Sequence, residues 1–372
     1  MPALIVYGST ASYYTGKLEA YLRAKGLAYR LEPFGESNMR RCAAHTGVNQ
    51  IPQVESPDGS WLVDTTLIIE HYERSQPEPR VTPQDPAVAF VSLLLEDYAD
   101  EWLWRPAMHY RWSYPETARL MSGRLAEHLN ERRAPQWVKR TYWYLRQYGI
   151  FVRGDGVTRA TRAAVEASYL DTLDALDAMF ARRPYVLGER PTEADFGFFA
   201  SMFRHFASDP TPSRIMRERA PHVLEWTARM WSLAPERFAT APLSTALVAD
   251  LAPLLGAVAS IYLPYLDANA AAYAAGQKRV RYDVQGVTFD EPTKPYRVWC
   301  RDRLQRRLVA LDAASRVAVE RAFGSAALAA GADSTALERL ARPSPKPAPA
   351  IVATLPIAST TVHPKPVDSW WR

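Results

Sequence analysis

Apolar positions in residues 1–80 switch between two periods. Leu4-Ile5-Val6-Tyr7 reads as a short strand, and Leu18, Tyr21 and Leu22 recur at helical spacing until Gly26, which suits a left-handed helix cap. Ala28 to Glu32 is the next strand. A polar stretch of loop and helix follows, then Gln53-Val54-Glu55, a Pro57-Asp58-Gly59 turn, Trp61-Leu62-Val63 and a helix carrying Leu67, Ile68, His71 and Tyr72. The order is β-α-β followed by β-β-α. Ser75 to Pro86, with Pro77, Pro79 and Pro83, predicts a linker.

From there to residue 240 the pattern is helical. Val91, Leu94, Leu95 and Tyr98 mark one buried face, and Leu170, Leu173, Leu176 and Phe180 another. Thr192-Glu193-Ala194-Asp195 stands before Phe196, Phe199, Phe203 and Phe206, the spacing of a capping box at a helix start. Residues 241–341 predict a mainly helical extension with a hairpin in Val280 to Phe289, turning at Gln285-Gly286, and a helix with Leu304, Leu308 and Leu311. Residues 342–372 form a tail too proline-rich to pack alone, ending in Trp370-Trp371-Arg372 as a candidate surface anchor. Residues 113–165, with Trp137, Tyr142, Trp143 and Tyr144, form a further insertion.

Composition narrows the class. A chain of 372 residues holds more than one core. The net charge of +5 is spread among acids with no basic stripe, which argues against a nucleic-acid groove. Cys42 and Cys300 fit neither a metal spacing nor a redox pair, so each is expected to be structural and the compartment reducing. The least polar stretch, Leu251 to Leu266, is shorter than the roughly 20 residues that span a bilayer and carries Pro253 and Pro264, so a buried helix is expected. With no signal-peptide pattern, the expected location is cytoplasmic.

The Ile51-Pro52 peptide before a short strand, the turn, Asp64-Thr65 opening a helix, the linker and the Gly188-Glu189-Arg190-Pro191-Thr192-Glu193-Ala194-Asp195 segment together resemble the glutathione S-transferase family over roughly residues 1–240. The resemblance implies a thioredoxin-like α/β N-terminal domain (1–80) and an all-α C-terminal domain (81–240), here followed by the extension. It also implies glutathione as co-substrate, an apolar electrophile as the second substrate, and a homodimer.

Aligning Lys17 with the family's basic helix residue puts Ser12 where the family carries the group acting on the glutathione sulfur. A serine hydroxyl and a helix N-terminus both favour thiolate over thiol, although Ser12 also reads as an ordinary helix cap. Tyr13 and Tyr7 are rivals, because other branches use a tyrosine near the first strand. The resemblance assigns the main chain of Ile51, before a cis Pro52, to the cysteinyl unit, and Asp64 and Thr65 to the γ-glutamyl ammonium and carboxylate. Asp64 and Thr65 also read as a plain helix start. Gln50 stands where many relatives place lysine for the glycyl carboxylate. No cysteine occupies the loop after the first strand, which disfavours disulfide exchange.

For the second substrate the crowded first helix of the all-α domain offers Trp102, His109, Tyr110 and Trp112 as an aromatic pocket, with core or subunit interface as the other reading. Asp97, Asp100 and Glu101 are expected on a solvated face rather than at a metal, since no histidine falls at ligand spacing among them. The expected function is a glutathione transferase that conjugates or otherwise activates small electrophiles. The alternative is a non-catalytic module of the same fold that docks a larger protein assembly through its extensions.

Overall fold

The computed structural model describes residues 3–127, 133–349 and 356–358; Trp370-Trp371-Arg372 lies outside them. β1 (Leu4–Gly8), α1 (Tyr13–Ala24), β2 (Tyr29–Pro33), α2 (Glu36–Thr46), β3 (Gln53–Glu55), β4 (Trp61–Val63) and α3 (Thr65–Ser75) form the first unit. The sheet order is β2-β1-β3-β4, with β1 and β2 parallel and the other pairs antiparallel, as a thioredoxin-like sheet requires.

Register explains the two faces. Val6 pairs with Val54 and Val54 with Leu62, so all three point into the main core with Leu18 and Leu22 of α1 and Ile68 of α3. Each such fully buried side chain contributes about 1.5–3 kcal/mol. Their neighbours Tyr7 and Trp61 turn to the opposite face, where they pack with Cys42 of α2. Burial pushes the Cys42 thiol up to about 12, and Cys300 is likewise buried and free; both behave as core residues. Ile357 pairs with Trp61, so part of the proline-rich tail covers the β4 edge.

The helical domain comprises α4 (Pro86–Glu101), α5 (Trp104–Ser113), α6 (Pro115–Glu127), α7 (Gln136–Gln147), α8 (Arg162–Phe180), α9 (Glu193–Ser201), α10 (Pro210–Arg219) and α11 (Pro221–Trp231). Thr192 and Asp195 form a capping box at α9. The Asp195 carboxylate accepts from the Thr192 and Val186 N–H groups at 3.0 Å and from Trp226 Nε1 at 3.2 Å. The box thus ties the helix start to α11 as well.

α4 and α9 touch backbone to backbone at Gly197, where a Cβ would lie 2.8 Å from Glu96 Cα and 2.9 Å from its carbonyl oxygen. Gly197→Ala is expected to destabilise the protein by about 1–3 kcal/mol, the usual penalty for overpacking, read as a lowered urea midpoint. An unchanged midpoint would contradict the close crossing.

The extension contains α12 (Ala252–Ala257), α13 (Leu263–Ala274), β5 (Arg279–Val284), β6 (Val287–Pro292), α14 (Pro295–Val309), α15 (Ala313–Ala329) and α16 (Ala336–Ala341). Gln285 and Gly286 both take positive φ, 53° and 71°, the backbone of a type I′ hairpin turn. The helical run Ala249–Ala274 is 26 residues, longer than the sequence pattern suggested and long and apolar enough to cross a membrane by length and composition, yet 61% of its most apolar window is buried inside the protein.

Asp97, Asp100 and Glu101 correct the sequence reading: they are buried, with 3–4% exposure, rather than on a solvated face. Their charges are met by cations from distant segments. Lys17 Nζ lies 2.6 Å from Glu96 and also pairs with Asp100, Arg297 pairs with Glu101, and Arg303 bridges Glu96 at 3.5 Å and Glu70 at 2.9 Å. α14 therefore clamps the thioredoxin-like and helical domains together.

Candidate active site

Between the two domains lies a cavity of about 790 Å³ bordered by the loop after β1, the Gln50-Ile51-Pro52 turn, the start of α3, α5, α7 and the approach to α14. This size and its mixed apolar and polar lining are those of a small-molecule site.

Ser12 is the N-cap of α1, with extended backbone (φ −86°, ψ 131°) and its Oγ accepting from the Thr15 N–H at 3.3 Å. Accepting this bond leaves its O–H able to donate. The first turn of α1 carries no acid to neutralise the helix dipole. The loop is held from the helical domain: Arg111 Nη1 donates to the Ala11 carbonyl at 2.7 Å, and Arg204 Nη1 to that of Thr10 at 2.8 Å. Arg111 is itself fixed by a two-pronged pair with Asp209 at 2.7 and 3.1 Å.

The opposite wall is built by the loop before β3. The Ile51–Pro52 peptide is cis. Gln53, fully buried, donates to the Val48 and Gln50 carbonyls at 3.0 and 2.9 Å and accepts from Thr46 Oγ1 at 2.9 Å, which fixes the Gln50-Ile51 main chain. Asp64 caps α3 with φ 69°, and its Oδ1 accepts from the Thr66 and Leu67 N–H groups at 3.0 and 3.2 Å. Burial raises its pKa above the ordinary aspartate value despite those bonds. Gln50, Ile51, Pro52, Asp64 and Thr65 all border the cavity, together with Ser12.

The two tyrosine rivals do not supply a free hydroxyl. Tyr7 is outside the cavity lining because strand alternation turns it to the α2 face, where its hydroxyl donates to Glu55 at 2.7 Å. Tyr13 borders the cavity, but its hydroxyl donates to the Ala99 carbonyl at 2.5 Å inside the core. Burial, with Asp100 nearby, pushes its pKa well up.

Of the four residues expected to form the second-substrate pocket, only Trp112 borders the cavity. Trp102 is fully buried, donating to Ser168 at 3.1 Å beneath the Arg105 guanidinium. His109 bonds Glu166 at 2.9 Å, and the Tyr110 ring packs on Tyr114 and Tyr169. The cavity face of α5 is instead Trp104, Met108, Arg111 and Trp112, an i, i+4, i+7, i+8 stripe visible in the sequence. Sequence reasoning also missed Tyr142 and Trp143 of α7 as lining, and Lys294, Tyr296 and Arg297 from the extension. His205 packs against both Tyr13 and Trp104; burial, aided by Arg111, drives its pKa well down. Among the described residues no cluster of His, Cys, Asp and Glu is arranged to hold a metal ion.

Comparison with protein families matches residues 6–80 to the glutathione S-transferase N-terminal domain and residues 159–229 to the glutathione S-transferase C-terminal domain. The chain carries both domains of the glutathione S-transferase family. Solved structures similar to this transferase-family chain include a glutathione S-transferase from Rhodospirillum rubrum F11 (20% identity, 66% of this chain and 93% of that one, TM-score 0.42). A theta class glutathione S-transferase from Xanthomonas axonopodis pv. citri with glutathione bound matches at 19% identity (66% and 100%, TM-score 0.40). Beta-etherase LigF from Sphingobium sp. strain SYK-6 matches at 18% (64% and 98%, TM-score 0.45). A search of the curated proteins finds no match.

Proposed function

We propose that this transferase-family protein binds glutathione between the β1–α1 loop and the start of α3, and uses Ser12 to hold the thiolate for attack on an apolar electrophile. The observation that carries the reading is the convergence on one cavity of Ser12 at a helix N-terminus, the cis Ile51–Pro52 turn and the Asp64-Thr65 helix start. Asp64 meets the γ-glutamyl ammonium, Thr65 and the α3 N–H groups meet the α-carboxylate, and the Ile51 main chain pairs with the cysteinyl unit. Gln50 offers the glycyl carboxylate a neutral partner. Trp104, Trp112, Tyr142 and Trp143 present the electrophile. The step is substitution or addition: the sulfur lone pair forms the C–S bond while the electrophile releases its leaving group or accepts the pair. Rate comes from positioning and thiolate stabilisation.

Calorimetric titration with glutathione tests this. Saturable binding in the micromolar to millimolar range is expected, and Asp64→Asn, which keeps a capping acceptor but loses the charge, should weaken it about 10-fold or more, a charged hydrogen bond being worth about 1.5–3 kcal/mol. No binding at millimolar glutathione would overturn the reading. It would favour the second reading, an interaction module docking an assembly, to which α7 lends one observation: Trp137 and Leu145 are 70% and 62% exposed. Homodimerisation and a cytoplasmic location belong to the same proposal.

A further inference from the structure

Tyr296 is the second residue of α14, and its hydroxyl donates to Asp64 Oδ2 at 2.8 Å. Asp64 Oδ1 is already committed to two N–H groups of α3, so Oδ2 is the oxygen available to a ligand cation. The C-terminal extension thus reaches the one carboxylate on which the glutathione reading places the γ-glutamyl end. We propose that Tyr296 is a positioning residue of that subsite, its hydroxyl oxygen and Asp64 Oδ2 together clasping the α-ammonium of a γ-glutamyl ligand. The inference rests on the glutathione reading and adds to it a residue from outside both family domains.

The chemistry follows from donor and acceptor counts. A phenol that donates its proton to a carboxylate keeps its lone pairs, and the polarised oxygen becomes a better acceptor. An ammonium has three N–H donors, enough for both Tyr296 Oη and Asp64 Oδ2 from one position. Burial and the Asp64 charge drive the phenol pKa well up, which keeps the proton in place.

The hydroxyl is held rigidly. The ring stacks on Trp299 at 5.3 Å, the next residue, Arg297, pairs with Glu101 of α4, and about two turns further along α14 Arg303 grips Glu70 of α3. Tyr296 and Asp64 both border the cavity, as do Lys294 and Arg297. The extension is a wall of the site, placed by ion pairs to both domains.

The opposing picture is a plug, in which Tyr296 occupies the place of the ammonium and must leave before a ligand enters. Calorimetry separates the two with glutathione and with glutathione acetylated on its α-amine, using wild-type protein and Tyr296→Phe, which keeps the stacked ring. The clasp predicts about 3- to 10-fold weaker glutathione binding by the Phe variant and less than 2-fold change for the acetylated ligand, which has no ammonium. In an Asp64→Asn background the Tyr296→Phe effect on glutathione should shrink below 2-fold. Equal or tighter glutathione binding by Tyr296→Phe, or equal weakening of both ligands, would overturn the clasp. A wild-type protein that binds no glutathione is a different result and overturns the underlying reading.

Discussion

Replacing Glu291 with alanine is expected to remove about 3–5 kcal/mol of folding stability, the cost of leaving a buried charge without its partner. Glu291 is fully buried on β6. Its Oε1 accepts from Arg105 Nη2 and, at 2.6 Å, from the Tyr282 hydroxyl, while its Oε2 lies 3.2 Å from Lys294 Nζ. Arg105 is 2% exposed, and Lys294 also pairs with Asp155. With Glu291 gone, two buried cations face one buried carboxylate, and the hairpin loses its anchor on α5. The double variant Arg105→Leu with Glu291→Leu should recover most of the loss, because both charges leave together.

The pH dependence has a definite sign. Burial raises the Glu291 pKa, but Arg105 and Lys294 more than reverse this, so the carboxyl titrates below its ordinary value. Its stabilisation is full above the ordinary glutamate pKa of about 4.3 and is lost as pH falls through the lower folded value. Urea unfolding at pH 7 and at pH 3 checks both parts. A loss under 1 kcal/mol for Glu291→Ala at pH 7 would contradict the cluster's role.

Removing the Ser12 hydroxyl is expected to lower kcat/KM for a conjugation assay at pH 7 by about 10- to 100-fold, the loss of one hydrogen bond to a charged acceptor worth about 1.5–3 kcal/mol. Glutathione affinity should move much less, because the proposed site holds the tripeptide through Asp64, Thr65 and the Ile51 main chain. Ser12 also caps α1 through the Thr15 N–H, so alanine carries a stability cost of about 1 kcal/mol. Ser12→Gly serves as the second variant, since glycine at an N-cap costs only a few tenths. Both variants should lose activity alike and both should regain rate as pH rises. A Gly variant with wild-type activity would contradict the role assigned to the hydroxyl.

The N-terminal domain was legible because each element announces itself locally. Short apolar runs around Val6, Val54 and Leu62 mark the strands, and Gly26 and Asp64 mark helix ends; in the extension, Gln285-Gly286 likewise specifies a hairpin turn without any tertiary information. The place of Ile51, Pro52, Asp64 and Thr65 at the cavity was legible for the same reason: a turn and a helix start within one short segment set it. Tyr7 and Tyr13 were ambiguous because a strand buried on both faces and a helix start in an interdomain seam do not say where a hydroxyl ends.

Residues that depend on long-range packing left no such mark. Asp97, Asp100 and Glu101 read as a solvated face because Lys17, Arg297 and Arg303, which neutralise them, come from both ends of the chain. Trp102, His109 and Tyr110 read as pocket on aromatic content alone, which carries no helical phase. The stripe Trp104, Met108, Arg111 and Trp112 held the phase that decides it. Tyr296 was visible as part of an elaborate extension, but nothing local connects it to Asp64, 232 residues earlier.

The most direct test of the central claim is the ultraviolet difference spectrum of glutathione bound to the protein, followed against pH for wild type and Ser12→Ala. The bound thiol should ionise at least one unit below the free cysteinyl value of about 8.5, with the alanine variant moving the titration back towards that value. A bound thiol that ionises no lower than free glutathione, or an identical titration in the variant, would contradict the account.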